Sequence, residues 1–406
     1  MATLVPFRAL RPAPAAAARV AAVPYDVVST DEARSLAAGN PLSFLHVSRA
    51  EIDLPPGTEL YAGAVYARAV ENFCALKKAA PLVVEEAPAL YVYRLRMGAH
   101  VQAGVAACYA LAEYDAGIIK KHEHTRRDKE DDRTRHMIEL RAQTGPVFLV
   151  YRASRAIDDL VAGTAEQHAP LFDFVAPDGV QHAIWKVDPR GQADLAAAFE
   201  AVQALYIADG HHRAASAARA RRELAGPAGA AGEWDTFLAV AFPDAQVQVL
   251  PYNRVVRDLG PHTPASLLAA LGARFTVRNG PAQPERQGDV AMFLDGRWHT
   301  IALGPPVEGL SAANRLDVSR LQDLVLTPLL GIGDIRTDRR IDFVGGARGT
   351  AELERLVTAG RAAVAFSLHP VSVGDLMAVC DAGGIMPPKS TWFEPKLRDG
   401  LLSHVI

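Results

Sequence analysis

Asp209-Gly210-His211-His212-Arg213 sets a carboxylate, two imidazoles and a guanidinium within five residues. The stretch follows the apolar run Leu205-Tyr206-Ile207-Ala208 and leads into the alanine-rich Ala214–Ala218. It reads as strand, tight polar turn, helix. Such a turn aims several backbone N–H groups at one spot, and the helix dipole makes that spot positive. Gly210 has no Cβ to keep a ligand away from the backbone. Arg213 can fork onto phosphate oxygens, and His211 and His212 can donate to the same group. Asp209 is a carboxylate beside this anion site. It suits a base or a contact to Mg2+, an ion that takes oxygen ligands and shares them with phosphates.

A second set is His122-Glu123-His124-Thr125. In an extended backbone His122 and His124 share one face and Glu123 points the other way. Glu123 is a candidate general base, because phosphoryl transfer to an alcohol asks for one positioned carboxylate and little covalent chemistry. Two other readings stand beside it. The four imidazoles of His122, His124, His211 and His212 could hold zinc, although no H-E-x-x-H or Cys pair is present. The imidazoles could also simply brace a loop. A third set, Lys389-Ser390-Thr391 after Pro387-Pro388, offers an ammonium and two hydroxyls on a stiffened loop, either for a phosphate or carboxylate or for solvent. Pro24-Tyr25-Asp26 and Asn40-Pro41 read as ordinary turns, and Tyr252-Asn253-Arg254 has no assigned role.

These residues need elements to hold them. Residues 4–9 and 42–47 read as strands. Residues 89–97 and 100–114 alternate as paired strands around Gly98-Ala99. Glu59 to Ala79 has helical periodicity. Arg126 to Arg135 carries nine charged residues in ten, so 126–143 reads as a mostly solvated helix. From 181 to 330 strands and helices alternate, and 226–232 reads as a surface loop. Strands are expected at 181–187, 204–208, 235–242, 247–256, 273–278, 290–294 and 298–303. Helices are expected at 191–203, 212–224, 264–272 and 318–329. The tail adds a helix at 350–359, a strand at 362–368 and a helix at 372–382. The fold class is mixed α/β. Three segments are expected: 1–115 (α+β), 116–260 (catalytic core) and 261–406 (α/β).

Bulk properties exclude several functions. The 406 residues carry a formal charge of −3, half of them apolar and 22% charged. No basic surface suggests a nucleic-acid partner. No run of 18 apolar residues could span a membrane, and residues 1–8 lack the pattern of a secretion signal. Cys74, Cys108 and Cys380 are scattered and odd in number, which fits a reducing cytoplasm and small core residues rather than a disulfide framework. A small-molecule substrate is the expected partner.

The stretches 24–28, 40–46, 122–125, 209–213, 250–254 and 388–393 together resemble the bacterial family called domain of unknown function 1015, over the full length. Within it, a His-Glu pair followed by Asp-Gly-His-His-Arg is similar to the ParB/sulfiredoxin-like fold, and in particular to the free serine kinases, over about residues 120–213. The resemblance implies a ParB/sulfiredoxin-like core with additional N- and C-terminal segments, and 153–200 as an insertion. It implies phosphorylation of free L-serine or a similar small hydroxy metabolite, with ATP, ADP or pyrophosphate as donor and Mg2+ as cofactor. Glu123 would take the hydroxyl proton, Asp209 would sit near the transferred phosphoryl and its magnesium, and Gly210 to Arg213 would cradle the donor phosphates. His122, His124, Thr125, Lys389, Ser390 and Thr391 are candidates for holding the acceptor. A nucleotide-dependent ParB-like switch and a phosphatase are the rival readings; a sulfiredoxin would need a cysteine near His211, and none lies close in sequence.

Overall fold

Most apolar runs up to residue 243 pair into one sheet. In a computed structural model, which describes residues 2–80, 82–226 and 229–406, the sheet has nine strands. Across it the order is Ile119–Lys120, Leu205–Asp209, Val147–Tyr151, Thr236–Pro243, His100–Ala110, Tyr91–Met97, Gln181–Lys186 and Phe172–Val175, with Leu4–Val5 also lying along His100–Ala110. Thr236–Pro243 runs parallel to Val147–Tyr151, whereas Leu205–Asp209 runs antiparallel to it. The register of Leu205–Asp209 slips between Ile207 and Asp209. Such an irregularity re-aims the residue at the strand end, here Asp209.

The chain divides into two compact units whose sequences interleave. The first holds residues 1–121, 125–247 and 395–406, so it draws on all three of the segments read from the sequence. Its main core packs Tyr109, Leu149, Ile207 and Ala239 of the sheet against Ile157, Leu195, Phe199 and Ala214 of the helices. A second core joins Phe44, Val65, Ala69 and Phe73 with Leu140. A small antiparallel sheet orders Leu82–Val84, Ala9–Pro12, Ser403–Val405 and Ala142–Gln143.

The second unit holds 122–124 and 248–394. Its six-stranded sheet is antiparallel throughout, in the order Thr276–Asn279, Arg297–Ala302, Asp289–Leu294, Val364–Leu368, Tyr252–Val256 and Ile341–Gly345, and Gln248–Leu250 pairs separately with Trp392–Glu394. The helices Pro264–Gly272, Gly349–Thr358 and Val373–Asp381 stand where expected. The helix expected at 318–329 runs from Asp317 to Leu330 with a wider π turn at Gln322–Leu326.

Several local expectations are corrected. Leu45–Ser48 is a helical turn, not a strand. Asn40 fixes the chain before it, donating from Nδ2 to the Arg19 carbonyl at 2.8 Å while its Oδ1 accepts the Leu42 N–H at 3.3 Å. The strand expected at 247–256 breaks at Pro251, which has no N–H for the ladder, into Gln248–Leu250 and Tyr252–Val256. The helix expected at 191–203 starts earlier, where Asp188 caps it and Pro189 opens it, and ends at Phe199. The charged helix spans Arg127–Leu140 but is not mostly solvated: Asp132, His136 and Leu140 form a buried stripe at four-residue spacing. Polar partners make this burial tolerable. Tyr66 Oη donates to Asp132 at 2.9 Å, and His136 Nε2 lies 3.0 Å from the Val47 carbonyl. Cys74 is exposed, while Cys108 and Cys380 are buried. Of the 226–232 loop, Pro227 and Ala228 lie outside the described residues, as does Met1. No helix among the described residues is long and apolar enough to cross a membrane.

Candidate functional site

Leu205–Asp209 ends on the carboxylate, Gly210 takes a left-handed φ of +94°, and the helix His211–Ala225 begins at once. The N-cap residue is Gly210, which has no side chain to cap this helix, and the N–H groups of a helix's first turn point along its axis. His211 is buried, and His212 is half-buried. His212 Nε2 lies 3.0 Å from the backbone nitrogen of Arg126. An amide can only donate, so Nε2 is the acceptor and the proton of the neutral ring sits on Nδ1. That lone pair is taken, which removes one of the nitrogens a zinc site would have used.

Arg213 is buried and turns back on the turn that carries it. Its Nη2 donates to Asp209 Oδ2 at 3.0 Å and lies 3.9 Å from Asp26 Oδ2, and its Nη1 donates to the Pro146 carbonyl. A Cβ on Gly210 would lie 3.0 Å from the Arg213 Cζ and Nε, so glycine serves the arginine here. Lys396 Nζ approaches Asp209 Oδ2 to 3.6 Å. Burial pushes the Asp209 carboxyl up, but Lys396, Arg213 and His211 outweigh it and hold the group well below the usual carboxylate range. The same carboxylates hold the Arg213 guanidinium charged against its burial.

Asp399 is the contrasting carboxyl. It is 3% exposed, and burial, with Asp26 adding to it, lifts it to about 7 against the pull of Arg213 and Arg133. A cavity of about 40 Å³ adjoins it, lined among others by Tyr25, Arg133, His136 and Arg213. That is room for an ordered water among polar partners. Asp26, Lys396 and Asp399 had no role in the sequence reading. Asp26 stood in a stretch taken for a turn and Lys396 just beyond the Lys389–Thr391 loop; nothing local marked Asp399.

The remaining candidates divide between the units. Thr125, in the first, donates to Glu130. His122, Glu123 and His124 belong to the second, together with Lys389, Ser390 and Thr391. His122 is buried; its carbonyl accepts the Met386 N–H at 2.8 Å and its Nε2 lies 3.4 Å from Thr391 Oγ1. Ser390 Oγ donates to the Pro387 carbonyl at 2.6 Å. Glu123 and Lys389 both act on Tyr252, whose hydroxyl burial pushes up, Lys389 pulls down and Glu123 raises. Lys389 holds a φ of +59°, and its Nζ lies 5.5 Å from the Tyr252 ring centre. Left-handed backbone in a lysine is uncommon and costs energy. His124 is exposed. Arg254 is buried; its Nη1 donates to the Tyr252 carbonyl, and burial pushes its pKa down to about 10. The sequence motifs thus gather into two groups: 24–26 with 209–213 in one unit, and 122–123 with 252 and 389–391 in the other.

A family model described as protein of unknown function (DUF1015) matches residues 4–319. No curated protein matches the sequence. Among solved structures the chain is similar to SbnI with a C-terminal truncation from Staphylococcus aureus, at 12% identity, 74% coverage of this chain, 87% of that one and a TM-score of 0.39. It is similar to a mutant free serine kinase in complex with AMP, at 12% identity, 73% and 92% coverage and a TM-score of 0.36. A conserved hypothetical protein from Pyrococcus furiosus gives 14% identity, 74% and 95% coverage and a TM-score of 0.37. At such scores these likenesses carry nothing about activity.

Proposed function

The chain belongs to the family described as protein of unknown function (DUF1015), and we propose that it is a phosphotransferase with an alcohol acceptor. The substrate class is a small hydroxy metabolite, free L-serine being the first to test. ATP, ADP and pyrophosphate are the candidate donors. The observation that carries this reading is the Asp209–Arg213 turn. A strand ends on a carboxylate held ionised, a left-handed glycine follows, and a helix opens with two histidines. The N–H groups of a helix's first turn and imidazole donors suit phosphate oxygens.

In this reading the N–H groups of the first turn, with His211 and His212, receive the donor phosphates. Arg213 is a positioning residue, since its Nη groups donate to Asp209 and the Pro146 carbonyl. Glu123 takes the proton of the acceptor hydroxyl. The acceptor oxygen forms a bond to phosphorus, the bridging P–O bond of the donor breaks, and its electron pair leaves with the shortened donor. Lys389, Ser390 and Thr391 help hold the acceptor.

Magnesium does not fit as a ligand of Asp209. Arg213 and Lys396 already stand at its Oδ2, and a divalent ion there would meet two fixed positive charges. Mg2+ is assigned to the donor's phosphates instead, and no step passes through a metal held by the protein.

The test is to incubate the full chain with Mg2+, each donor in turn and a pool of hydroxy metabolites including L-serine. The expected result is a product heavier by one phosphate. No phosphorylated product with any donor overturns the reading; release of free phosphate alone makes the protein a phosphatase, and neither product, with DNA retained, makes it a switch.

A further inference from the structure

A cavity of about 560 Å³ within the second unit has no part in the reading above. That volume lies in the range of small-molecule sites, about 300–1,000 Å³. Its walls are tied from behind. The buried Arg320 donates from Nη2 to the carbonyls of Leu303 and Gly304, each at 2.7 Å, and its Nη1 meets Asp317 at 3.4 Å. Asp317 in turn accepts the Gly288 N–H at 2.8 Å. One buried ion pair thereby fixes both loops that frame the opening, around Gly288 and Gly304. A fixed frame spares a ligand the cost of ordering the walls.

Two other guanidiniums line the cavity and are not used in this way. Arg286 engages Asp289 through Nε at 3.2 Å, and its Nη groups make no hydrogen bond to any described residue. The Arg315 side chain has no hydrogen bond or ion pair to any described residue and is exposed. Arg278 also reaches Asp289, at 3.5 Å. The lining thus holds three guanidiniums, Arg286, Arg315 and Arg320, against two carboxylates, Asp289 and Asp375, which leaves an excess of positive charge. Pro305, Pro306 and Leu316 supply apolar lining, and the neighbouring Val307 is 73% exposed.

We propose that this cavity binds a phosphate monoester with an apolar body. Two forks, on Arg286 and Arg315, match the several oxygens of a phosphate, and the proline-lined wall covers the rest of the molecule. Inorganic phosphate would leave that wall wet, and a neutral apolar molecule would leave the forks unanswered.

The experiment is calorimetric titration of the full chain with phenyl phosphate, and with phenol and inorganic phosphate as controls. Phenyl phosphate is expected to bind at least about ten-fold more tightly than either control, the scale of one charged hydrogen bond. The double variant Arg286→Gln, Arg315→Gln is expected to lose that advantage, and Arg315→Lys to keep part of it. Both side chains are exposed, so the variants keep the fold, and a matching thermal melt verifies this. Phosphoryl transfer, if found, is expected to be unchanged in the double variant. Equal binding by wild type and double variant, equal binding of phenol, or no binding of phenyl phosphate to the folded wild type overturns the proposal.

Discussion

Arg213 folds its guanidinium back onto Asp209, with Nη2 3.0 Å from Oδ2, so that the last residue of a strand and the first turn of the next helix hold each other across a single glycine. That glycine, Gly210, combines a φ of +94° with a Cβ position 3.0 Å from the arginine. Gly210→Ala should therefore cost about 1–3 kcal/mol, the scale of one residue forced into a left-handed backbone. Urea unfolding reads this directly. An unchanged midpoint would mean that the turn is not held by this contact.

Arg213 itself is expected to matter to stability, whatever the turn binds. Removing the guanidinium leaves the half-buried Asp209 with Lys396 alone, 3.6 Å away, and takes the donor from the Pro146 carbonyl, at a cost of about 1–3 kcal/mol. Arg213→Met should show a loss on that scale, and Arg213→Lys a smaller one, because an ammonium keeps the charge but not the fork. If Arg213→Met unfolds at the wild-type midpoint and only nucleotide binding weakens, the guanidinium serves the ligand and not Asp209.

Asp399 gives a pH signature. Its folded pKa of about 7 lies above the ordinary 3.8. The folded state therefore binds this proton more tightly than the unfolded chain. The stabilisation is complete below about pH 4 and is lost as pH rises through about 7. At about 1.4 kcal/mol per unit, up to about 4 kcal/mol is at stake. His136, pushed down to about 4 by burial and by Arg133, acts with the opposite sign, its contribution being lost as pH falls from about 6.5 towards 4. The difference between wild type and Asp399→Asn isolates the carboxyl. Asp399→Asn should gain on wild type between pH 5 and pH 8 in denaturant titrations, and parallel curves would refute the assignment.

Lys389 separates strain from function. Its φ of +59° suits glycine better. Lys389→Gly should leave the melting temperature unchanged or raised, as relief of a left-handed residue worth about 1–2 kcal/mol. If the loop holds the acceptor, KM for the acceptor should rise in the same variant while donor binding stays constant. A fall in stability with no change in KM would make the lysine structural.

Glu123→Gln tests the base. Glutamine keeps the shape but cannot take the proton, so turnover on a confirmed substrate should fall at least about 10²-fold. Donor affinity should be nearly unchanged. Turnover close to wild type would move the test to Asp209.

The turn from Leu205 to Arg213 was legible in the sequence because strand, glycine and helix follow one another locally. Its partners were not. Asp26, Lys396 and Asp399 come from distant parts of the chain, and only the folded first unit brings them to Arg213 and Asp209. The charged helix Arg127–Leu140 misled for a different reason. Its inward stripe includes Asp132 and His136, which hydropathy counts as solvated and which Tyr66 and a backbone carbonyl make burial-tolerant. At Leu45–Ser48 the Asn40 turn, not the apolar pattern, decided the backbone.

The interleaving of the two units has a consequence during synthesis. Residues 248–394 leave the ribosome before 395–406, so the second unit can assemble while the first still lacks Lys396, Asp399 and the Ser403–Val405 strand of its small sheet. Until that last stretch emerges, Asp209 has Arg213 but not Lys396 for company, and the small sheet lacks the strand that joins Ala9–Pro12 to Ala142–Gln143. A nascent chain therefore carries the Asp209–Arg213 turn in an incomplete setting until this stretch has been translated.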